Sequence, residues 1–599
     1  MSYPAFHSGL PHLTWPAAEA AREMPCPNCG APGAKRILVA VSWRPVGKPP
    51  RQSDVLACPA CDVAFYDDLT PLDYADPDIA EAGRAAFFLQ QGTALWHSAG
   101  LLARIARPAG TRYLEVGCGL GFALDFAIHG LGWLGHGFDP SPLAGVGRAR
   151  LGLPITLDYF SGTTPGSIDV LLAAEVIEHV PAPSAFLTLL ASSLKSDGIL
   201  VLTTPDAAAI RPQTSSGALI PLLSPGQHLI LQGRKSLARL LKEAGFAHVV
   251  VEHDAFSLIA FASRAPLSLG NDRPAARLTY RRWLARRADA LRTDPTLFQT
   301  FAGHAFVDAV NDADVAAAAT LITPLRTLLH ARYRIDLDNP LPLPAEISGV
   351  SLARLAELMP LNLPAILMAH AICRLHTGEP RAVVRPLFIA AATAATALRR
   401  ALAERMIEDG ETEDIAWVAT AETVLCDAEA GAPDLLPRLA ALAPAPGEAN
   451  GIERRRDIVR RAFTSLVNAR RYEPAHALAA AEALVRDADA SLLTRGPLPT
   501  SKRDALFSLA VLEVQPGGNP ARARALFARV RSDLDAATQP VPGLFWAALR
   551  GEILAAESQG TPSYGTALLA STLAELGPAA AQAPPDLAAR IVEAACRPT

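Results

Sequence analysis

Three glycines alternate with other residues directly after a short apolar stretch. They are Gly117, Gly119 and Gly121, in the segment RYLEVGCGLGFALDF that begins at Arg112. A strand that enters a helix through such a turn lets its backbone approach a ligand, because glycine has no Cβ to exclude it. The free N–H groups of the following helix then face the polar end of that ligand. The segment therefore predicts a nucleotide-type binding turn.

Two acidic residues narrow the choice of ligand. Glu115 lies two positions before the first glycine, and Asp139 ends the next strand-like stretch, GHGFD. A dinucleotide fingerprint would place its third glycine at Phe122, one residue later than this chain does. A carboxylate at Glu115 suits a cationic amino group better than a pyrophosphate, and one at Asp139 can accept both ribose hydroxyls. The spacing predicts a pocket for S-adenosylmethionine.

Residues 111–264 resemble the class I S-adenosylmethionine-dependent methyltransferases. LEVGCGLG matches the first motif of that family, GFDPSP the ribose-binding strand end, DVLLAAEVIEHV the fourth strand and LKSDGILVLTTPD the fifth. The resemblance implies an α/β Rossmann-like domain with a mostly parallel sheet and an antiparallel last strand. It also implies an enzyme that transfers a methyl group. The cofactor-binding residues that follow are Glu115, Gly117, Cys118, Gly119, Gly121, Asp139, Pro140, Asp158, Tyr159 and Glu175.

The stretch EVIEHV supplies the candidate catalytic residues. Glu175, Glu178 and His179 follow the fourth strand, where ligands bind in open α/β sheets, and His179 is the best general base by residue type. Its alternative is a helix-capping or packing histidine. Glu-x-x-Glu-His with the later His228 resembles the metal-binding set of small-RNA 2′-O-methyltransferases and ubiquinone-pathway O-methyltransferases. That resemblance implies Mg²⁺ or Mn²⁺ polarising a hydroxyl.

Half of the eight cysteines form two close pairs near the start of the chain. Cys26 and Cys29 lie in CPNCG, and Cys58 and Cys61 lie in CPACD, with 28 residues between the pairs. Four thiolates so spaced satisfy a closed tetrahedral zinc site, whereas a redox motif needs only one pair. The pattern predicts a zinc ribbon whose metal is structural.

A zinc ribbon before a class I domain resembles two groups. One is the sugar C-methyltransferase-like group, and the other is the ribosomal RNA guanine methyltransferases, whose ribbon binds RNA. The net charge of −4 and the acidic stretch DDLTPLDYADPDIAE argue against a phosphate-tracking surface. A small-molecule or glycan-linked acceptor is favoured, with RNA as the alternative. Candidates to line its pocket are Tyr66, Tyr74, Trp96 and His97.

The remainder of the chain reads as helices. Helix–turn–helix patterns after Asp336–Glu346 predict an all-α, TPR-like domain that binds a protein partner, although an irregular helical domain is the alternative. The arginine runs of the helical half, RRWLARR and ERRRDIVRR, are interpreted as solvated helix faces. A degenerate methyltransferase fold serving as a scaffold is a further alternative, against which the intact glycines and acids argue. The expected domains are 1–23 (tail), 24–65 (ribbon), 66–110 (helical cap), 111–265 (methyltransferase), 266–345 (helical connector) and 346–599 (helical repeat).

Neither a signal peptide nor an apolar run of about 18 residues is evident, so a cytoplasmic protein without a membrane span is expected.

Overall fold

The computed structural model describes residues 10–45, 49–77, 82–92, 95–430, 500–515, 518–534 and 542–587, with a few single positions between 432 and 465 and at 589. The chain divides into two compact units. The larger comprises 6–419 with 445–449, and the smaller comprises 1–5, 420–444 and 450–599.

An antiparallel sheet occupies the start of the larger unit. Its order is β1-β3-β4-β5-β11, and β2 pairs with β3. These strands are β1 (His12–Thr14), β2 (Ala21–Glu23), β3 (Ala34–Trp43), β4 (Arg51–Ala57), β5 (Ala64–Tyr66) and β11 (Ile230–Leu231). The last strand comes from a distant part of the chain. The predicted ribbon therefore shares a sheet with the domain that follows it.

A seven-stranded sheet forms the centre of the larger unit, in the order β12-β13-β10-β9-β6-β7-β8. Strands β6 to β10 run parallel, and β13 runs antiparallel to both β10 and β12. The strands are β6 (Arg112–Val116), β7 (Leu134–Phe138), β8 (Ile155–Thr156), β9 (Ile168–Ala174), β10 (Leu194–Pro205), β12 (His248–Asp254) and β13 (Ser257–Ser263). The antiparallel final hairpin predicted from the sequence is confirmed.

Helices connect and flank these strands. The buried face of α7 (Arg234–Glu243) packs with α5 (Pro183–Ser193) and one face of the sheet in a single apolar core. The helices of this part are α1 (Ala82–Gln91), α2 (Leu95–Ala103), α3 (Phe122–Asp125), α4 (Pro142–Leu151), α5 (Pro183–Ser193), α6 (Ser216–Leu223) and α7 (Arg234–Glu243). A π-helical turn at Phe126–Gly130 continues α3.

The described chain beyond β13 is helical, as predicted. The helices are α8 (Arg273–Ala290), α9 (Pro295–Asn311), α10 (Val315–Tyr333), α11 (Leu352–Leu358), α12 (Leu363–His376), α13 (Arg381–Ala403) and α14 (Gly410–Ala430), then α15 (Thr500–Glu513), α16 (Pro520–Ser532), α17 (Gly543–Ser558) and α18 (Pro562–Leu576). The helix–turn–helix patterns of the sequence predict four turns: those at 377–380 and 559–561 join consecutive helices, and a third, in QPGGNP, lies between α15 and α16. The fourth, within 468–485, lies outside the described residues.

One arginine run differs from its interpretation as a solvated face. Arg287 on α8 is only 8% exposed, and its guanidinium lies 2.7 Å from a carboxylate oxygen of Asp125 on α3. The indole N–H of Trp283 donates to the other oxygen of that carboxylate at 2.7 Å. Helix α8 is thereby fastened to the segment that follows the glycine turn. In the run ERRRDIVRR, residues 453, 456, 459 and 460 lie outside the described residues, and the described Arg461 is exposed.

Among the described helices, Arg381–Ala403 is long and apolar enough to span a membrane, and 61% of its most apolar window is buried within the fold. Helices α11 and α12 pass the same test only as a pair bent by 43°. Burial against neighbouring helices accounts for the apolar composition of Arg381–Ala403.

Candidate cofactor and acceptor site

The glycine turn lies where β6 ends, and each glycine has a different surrounding. All three have positive φ, at +73°, +49° and +83° for Gly117, Gly119 and Gly121. A Cβ on Gly117 would lie 2.4 Å from Val176, and one on Gly121 would lie 2.7 Å from Leu153. A Cβ on Gly119 would meet nothing within 4 Å. Gly119 therefore presents bare backbone to open space, whereas the other two permit close packing.

Asp139 stands beside that open backbone. It follows β7, which is the parallel neighbour of β6, so both strand ends lie at one edge of the sheet. One carboxylate oxygen accepts the Gly119 N–H at 2.8 Å, and the other accepts the Ser141 N–H at 2.7 Å. Each oxygen keeps a further lone pair that can accept a hydroxyl. The two backbone N–H groups therefore fix the orientation of this side chain beside the open space at Gly119.

Glu115 is buried within β6. Its carboxylate accepts the Tyr113 hydroxyl at 2.9 Å, and only 5% of the residue is exposed. Burial raises the pKa of Glu115 to about 8, with the charge of Asp139 adding to the effect. Two buried acids at one strand edge favour a cationic ligand, because such a ligand stabilises their ionised forms.

The remaining predicted cofactor residues are placed unequally. The thiol of Cys118 packs against Gly137 of β7, so only its backbone belongs to the turn. Pro140 separates Asp139 from Ser141, the residue before α4. Asp158 and Tyr159 follow β8, and the exposed Tyr159 hydroxyl donates to Asp73 at 3.1 Å. Tyr159 thus contacts the segment that follows the ribbon.

Glu175 is placed by strained backbone at the end of β9. Its φ is +54°, a conformation that favours glycine, and its N–H donates to the Thr203 carbonyl at 3.0 Å. Its carboxylate accepts the Thr203 hydroxyl at 2.8 Å, while the residue as a whole is exposed. Strained, exposed residues at a strand edge are typical of ligand sites.

Glu178, His179 and His228 converge, although His228 is 49 positions from its nearest partner in sequence. The Nε2 atoms of His179 and His228 lie 3.8 Å and 3.9 Å from Glu178 Oε1. That oxygen is fully buried and accepts no hydrogen bond from the described residues. The other carboxylate oxygen accepts the Thr204 hydroxyl at 2.9 Å.

Backbone carbonyls orient both imidazoles. His228 Nδ1 lies 2.8 Å from the Leu222 carbonyl oxygen, and His179 Nδ1 lies 3.1 Å from that of Gln227. Because a carbonyl only accepts, the contact of His228 assigns the proton to Nδ1 of that ring and leaves its Nε2 lone pair facing Glu178. One carboxylate oxygen and two imidazole nitrogens that lie within 4.8 Å of one another form a set suited to a cation.

Burial keeps both imidazoles neutral. It lowers the pKa of His179 to about 4, and it lowers that of His228 well below the ordinary value. Burial, together with the charge of Glu175, raises the pKa of Glu178 well above its usual range. Neutral imidazoles retain the lone pairs needed to bind a metal ion or to accept a proton.

Tyr74, which was predicted only as a candidate to line the acceptor pocket, contacts this cluster. Its hydroxyl lies 2.6 Å from His179 Nδ1, and the two rings meet edge to face. Tyr66, by contrast, is buried, and its hydroxyl donates to the Leu223 carbonyl at 2.9 Å. No spacing in the sequence distinguishes these two tyrosines.

A cavity of about 580 Å³ lies behind the loop that carries Gln227. Trp96 and His97 line it, together with the aromatic rings of Phe87, Phe88 and Tyr280. Residues 405–409, between α13 and α14, and Glu411 in the first turn of α14 form another part of its wall. A helical segment predicted to serve protein interaction therefore contributes to a cavity in the larger unit.

The four paired cysteines also converge. Sγ of Cys26 lies 3.6 Å from that of Cys61, and Sγ of Cys29 lies 3.8 Å from that of Cys58. A tetrahedron of sulfurs about 2.3 Å from a zinc ion has edges of about 3.8 Å, whereas a disulfide would require about 2.05 Å. The set fits zinc.

Comparison with known proteins identifies one part of the chain. Residues 95–251 match a family model described as a methyltransferase domain. A ubiquinone biosynthesis O-methyltransferase from Xanthomonas campestris pv. campestris (strain B100) is 39% identical over 111 residues, which are 17% of this chain and 46% of that protein. The protein of the same name from Thiobacillus denitrificans (strain ATCC 25259 / T1) is 31% identical over 152 residues, 23% of this chain and 65% of that protein.

A solved structure is similar at lower identity. The Thermotoga maritima S-adenosylmethionine-dependent methyltransferase, described as a possible histamine N-methyltransferase, is 18% identical and covers 30% of this chain and 93% of its own, with a TM-score of 0.25. That score carries no argument. The chain spans about half the length of the first curated relatives it matches. The chain therefore contains a methyltransferase domain, and its activity as a whole is a matter for proposal.

Proposed function

We propose that the protein is a class I S-adenosylmethionine-dependent methyltransferase that acts on a small-molecule or glycan-linked acceptor. The observation that carries the proposal is Gly119, whose bare backbone faces open space beside the carboxylate of Asp139, with the buried Glu115 four residues earlier on β6. When bound, S-adenosylmethionine supplies a methyl carbon activated by a positive sulfur. Glu115 would face the ammonium group of the cofactor, and Asp139 would face its ribose hydroxyls. Gly119 would lie against its nucleoside.

Calorimetry with S-adenosylhomocysteine tests this assignment. Asp139→Ala removes the predicted ribose acceptor, and we expect the affinity to fall roughly 100-fold, as expected for two lost charge-assisted hydrogen bonds. Asp197→Ala is the matched control, because Asp197 pairs with Arg107 near the start of β10, at the opposite edge of the sheet. Absence of binding by the wild type, or equal affinity for Asp139→Ala, would reject the proposal.

We further propose that Glu178, His179 and His228 hold Mg²⁺ or Mn²⁺. The buried Oε1 of Glu178, which accepts no hydrogen bond from the described residues, and the two Nε2 atoms beside it support this assignment. Such an ion would lower the pKa of an acceptor hydroxyl. Tyr74 orients His179 through its hydroxyl, and Glu175, on the neighbouring strained backbone, faces the same edge of the sheet.

The acceptor is proposed to enter the cavity of about 580 Å³. Gln227 connects the two places, because it lines the cavity while its carbonyl contacts His179. Helix α6 also packs against the start of α14, since a Cβ on Gly217 would lie 3.0 Å from Glu413. Aromatic walls with a polar rim suit a ring-bearing acceptor of modest size.

The ribbon gives mixed support to RNA as the acceptor, because Lys35 and Arg22 are engaged within it, whereas Arg36, Arg44 and Arg51 are exposed. Lys35 is 1% exposed and donates to the Pro32 and Gly33 carbonyls. Arg22 pairs with Asp54 and Asp67. Phosphate contacts require exposed cations, so these contacts favour the small-acceptor proposal.

Three further assignments complete the proposal. A structural zinc ion occupies the four-cysteine set, because its sulfur separations fit a tetrahedron. The helices after 346, arranged as TPR-like pairs, bind a protein partner. The protein acts in the cytoplasm.

A further inference from the structure

The two cysteine knuckles, CPNCG and CPACD, have the same left-handed turn but differ in the residue that forms it. Each has a left-handed residue directly after its second cysteine, Gly30 with φ +71° and Asp62 with φ +51°. Glycine adopts this conformation freely, whereas aspartate adopts it at a cost. The second knuckle therefore retains an unfavourable residue at a position where the first has the favourable one. A contact made by the Asp62 side chain can account for this.

The Asp62 carboxylate caps a helix of the methyltransferase domain. Its two oxygens accept the N–H groups of Lys235 and Ser236 at the start of α7, both at 2.9 Å. The backbone approaches equally closely, because a Cβ on Gly233 would lie 2.3 Å from the Asp62 carbonyl oxygen. In the first knuckle, the Asn28 side chain accepts from Gln232 at 3.3 Å. Both knuckles thus contact the segment 232–236.

That segment continues directly from the residues that place His228. Ile230 and Leu231 form β11, which pairs with β5 of the ribbon. The Tyr66 N–H donates to the Leu229 carbonyl, and the Leu229 N–H donates to the Glu178 carbonyl, so the chain between ribbon and cluster is fixed on both sides.

A second contact joins the ribbon to the end of α6, a few residues before His228. The Tyr66 hydroxyl holds the Leu223 carbonyl, and the adjacent Leu222 carbonyl orients the His228 ring.

The electrostatics favour the same docking. A zinc ion with four thiolates carries a net charge of −2, and the N-terminus of the ten-residue helix α7 is the positive end of its dipole. Metal binding would fix both knuckles and would so keep Asp62 and Asn28 in register with α7. The Asp62 carboxylate adds a further negative charge at that helix end.

We infer that Asp62 is a positioning residue through which the zinc-bound knuckle holds residues 222–236, and hence His228, against Glu178. The inference rests on the zinc site proposed above. It makes the ribbon a support for the acceptor side of the site rather than a separate stabilising module. The cofactor side, from β6 to Asp139, makes none of these contacts.

Hydrogen exchange on the full zinc-loaded chain tests the inference. In Asp62→Gly the backbone conformation becomes easier while both capping bonds are lost, so we expect zinc content to stay at one ion per chain. Amides in 228–240 should exchange about ten-fold faster, as expected for two lost capping bonds. Peptides covering 112–139 should be unchanged. Asp62→Asn should restore most of the protection, because asparagine tolerates this φ and keeps one acceptor oxygen.

Asp68→Gly is the control, because the carboxylate of Asp68 accepts the N–H of Thr70, two residues away, instead of capping a helix. Chelation of zinc from the wild type should loosen 228–240 as Asp62→Gly does. Unchanged exchange in zinc-loaded Asp62→Gly, or after confirmed loss of zinc, would overturn the inference. A wild-type protein without zinc would instead refute the zinc proposal, and Asp62→Gly would still report on the cap alone.

Discussion

The cofactor side and the acceptor side of the proposed site are built in different ways. The cofactor side comprises Gly119, Asp139 and Glu115, which lie within 25 residues and are placed by two adjacent parallel strands. The acceptor side combines Tyr74, His179 and His228 with a cavity whose wall extends to residues 405–409 and 411. One side is a local motif, and the other is an assembly of distant segments.

This difference bears on how each side is expected to tolerate change. Neighbouring strand ends keep the cofactor groups together as long as the central sheet forms. The acceptor groups depend on contacts between the ribbon, the segment 222–236 and the helices. Perturbing the two sides separately should therefore give separable effects on ligand binding.

Glu178→Gln should have the largest effect, and only on the acceptor side. The substitution keeps the shape of the side chain but removes the charge at the centre of the proposed cation site. We expect Mn²⁺ affinity, measured by electron paramagnetic resonance, to fall at least ~100-fold, with affinity for S-adenosylhomocysteine unchanged. His253→Ala is the control, because His253 lies on β12, outside the cluster, and pairs there with Asp206. Equal Mn²⁺ affinities of wild type and Glu178→Gln would remove the cation from the proposal.

Gly119→Ala should have the next largest effect, and only on the cofactor side. Its Cβ would occupy the space assigned to the nucleoside, so we expect S-adenosylhomocysteine to bind about 30-fold more weakly, or about 2 kcal/mol. Gly152→Ala is the matched control, since Gly152 also has positive φ and open surroundings but ends α4. Both variants should lose about 1 kcal/mol of unfolding free energy from the strained alanine. Equal cofactor affinities in the two variants would contradict the assignment.

The smallest expected effect is the release of a proton when the cofactor binds. Since the pKa of Glu115 is raised to about 8, its carboxyl is mostly protonated at pH 7 and should ionise when a cationic cofactor binds. Calorimetry in buffers of different ionisation enthalpy should report roughly 0.9 proton released per cofactor at pH 7. The release should decline as pH rises above 8, because the free enzyme is then already ionised. In Glu115→Gln this contribution should be absent, and a release equal to that of the wild type would argue against the role of Glu115.

The sequence predicts the central sheet well and the ribbon incompletely. The strands from Arg112 to Ser263 and their antiparallel ending follow from apolar runs alternating with helical patterns. The pairing of β5 with β11 could not be predicted, because two-residue strands carry no periodicity. The burial of Arg287 was missed for a related reason. A charged residue on an apolar helix face is read as exposed unless its partner, Asp125, is known.

By itself, the sequence determined which groups could meet a cofactor, because three glycines and two acids at adjacent strand ends are brought together by local chain geometry. It also determined the thiol set, since closely paired cysteines in two knuckles have few other uses. Tertiary structure alone decided which tyrosine contacts His179, which segments wall the cavity and how the ribbon supports His228. Those contacts join positions tens to hundreds of residues apart, and their energies depend on packing that no short stretch of sequence encodes.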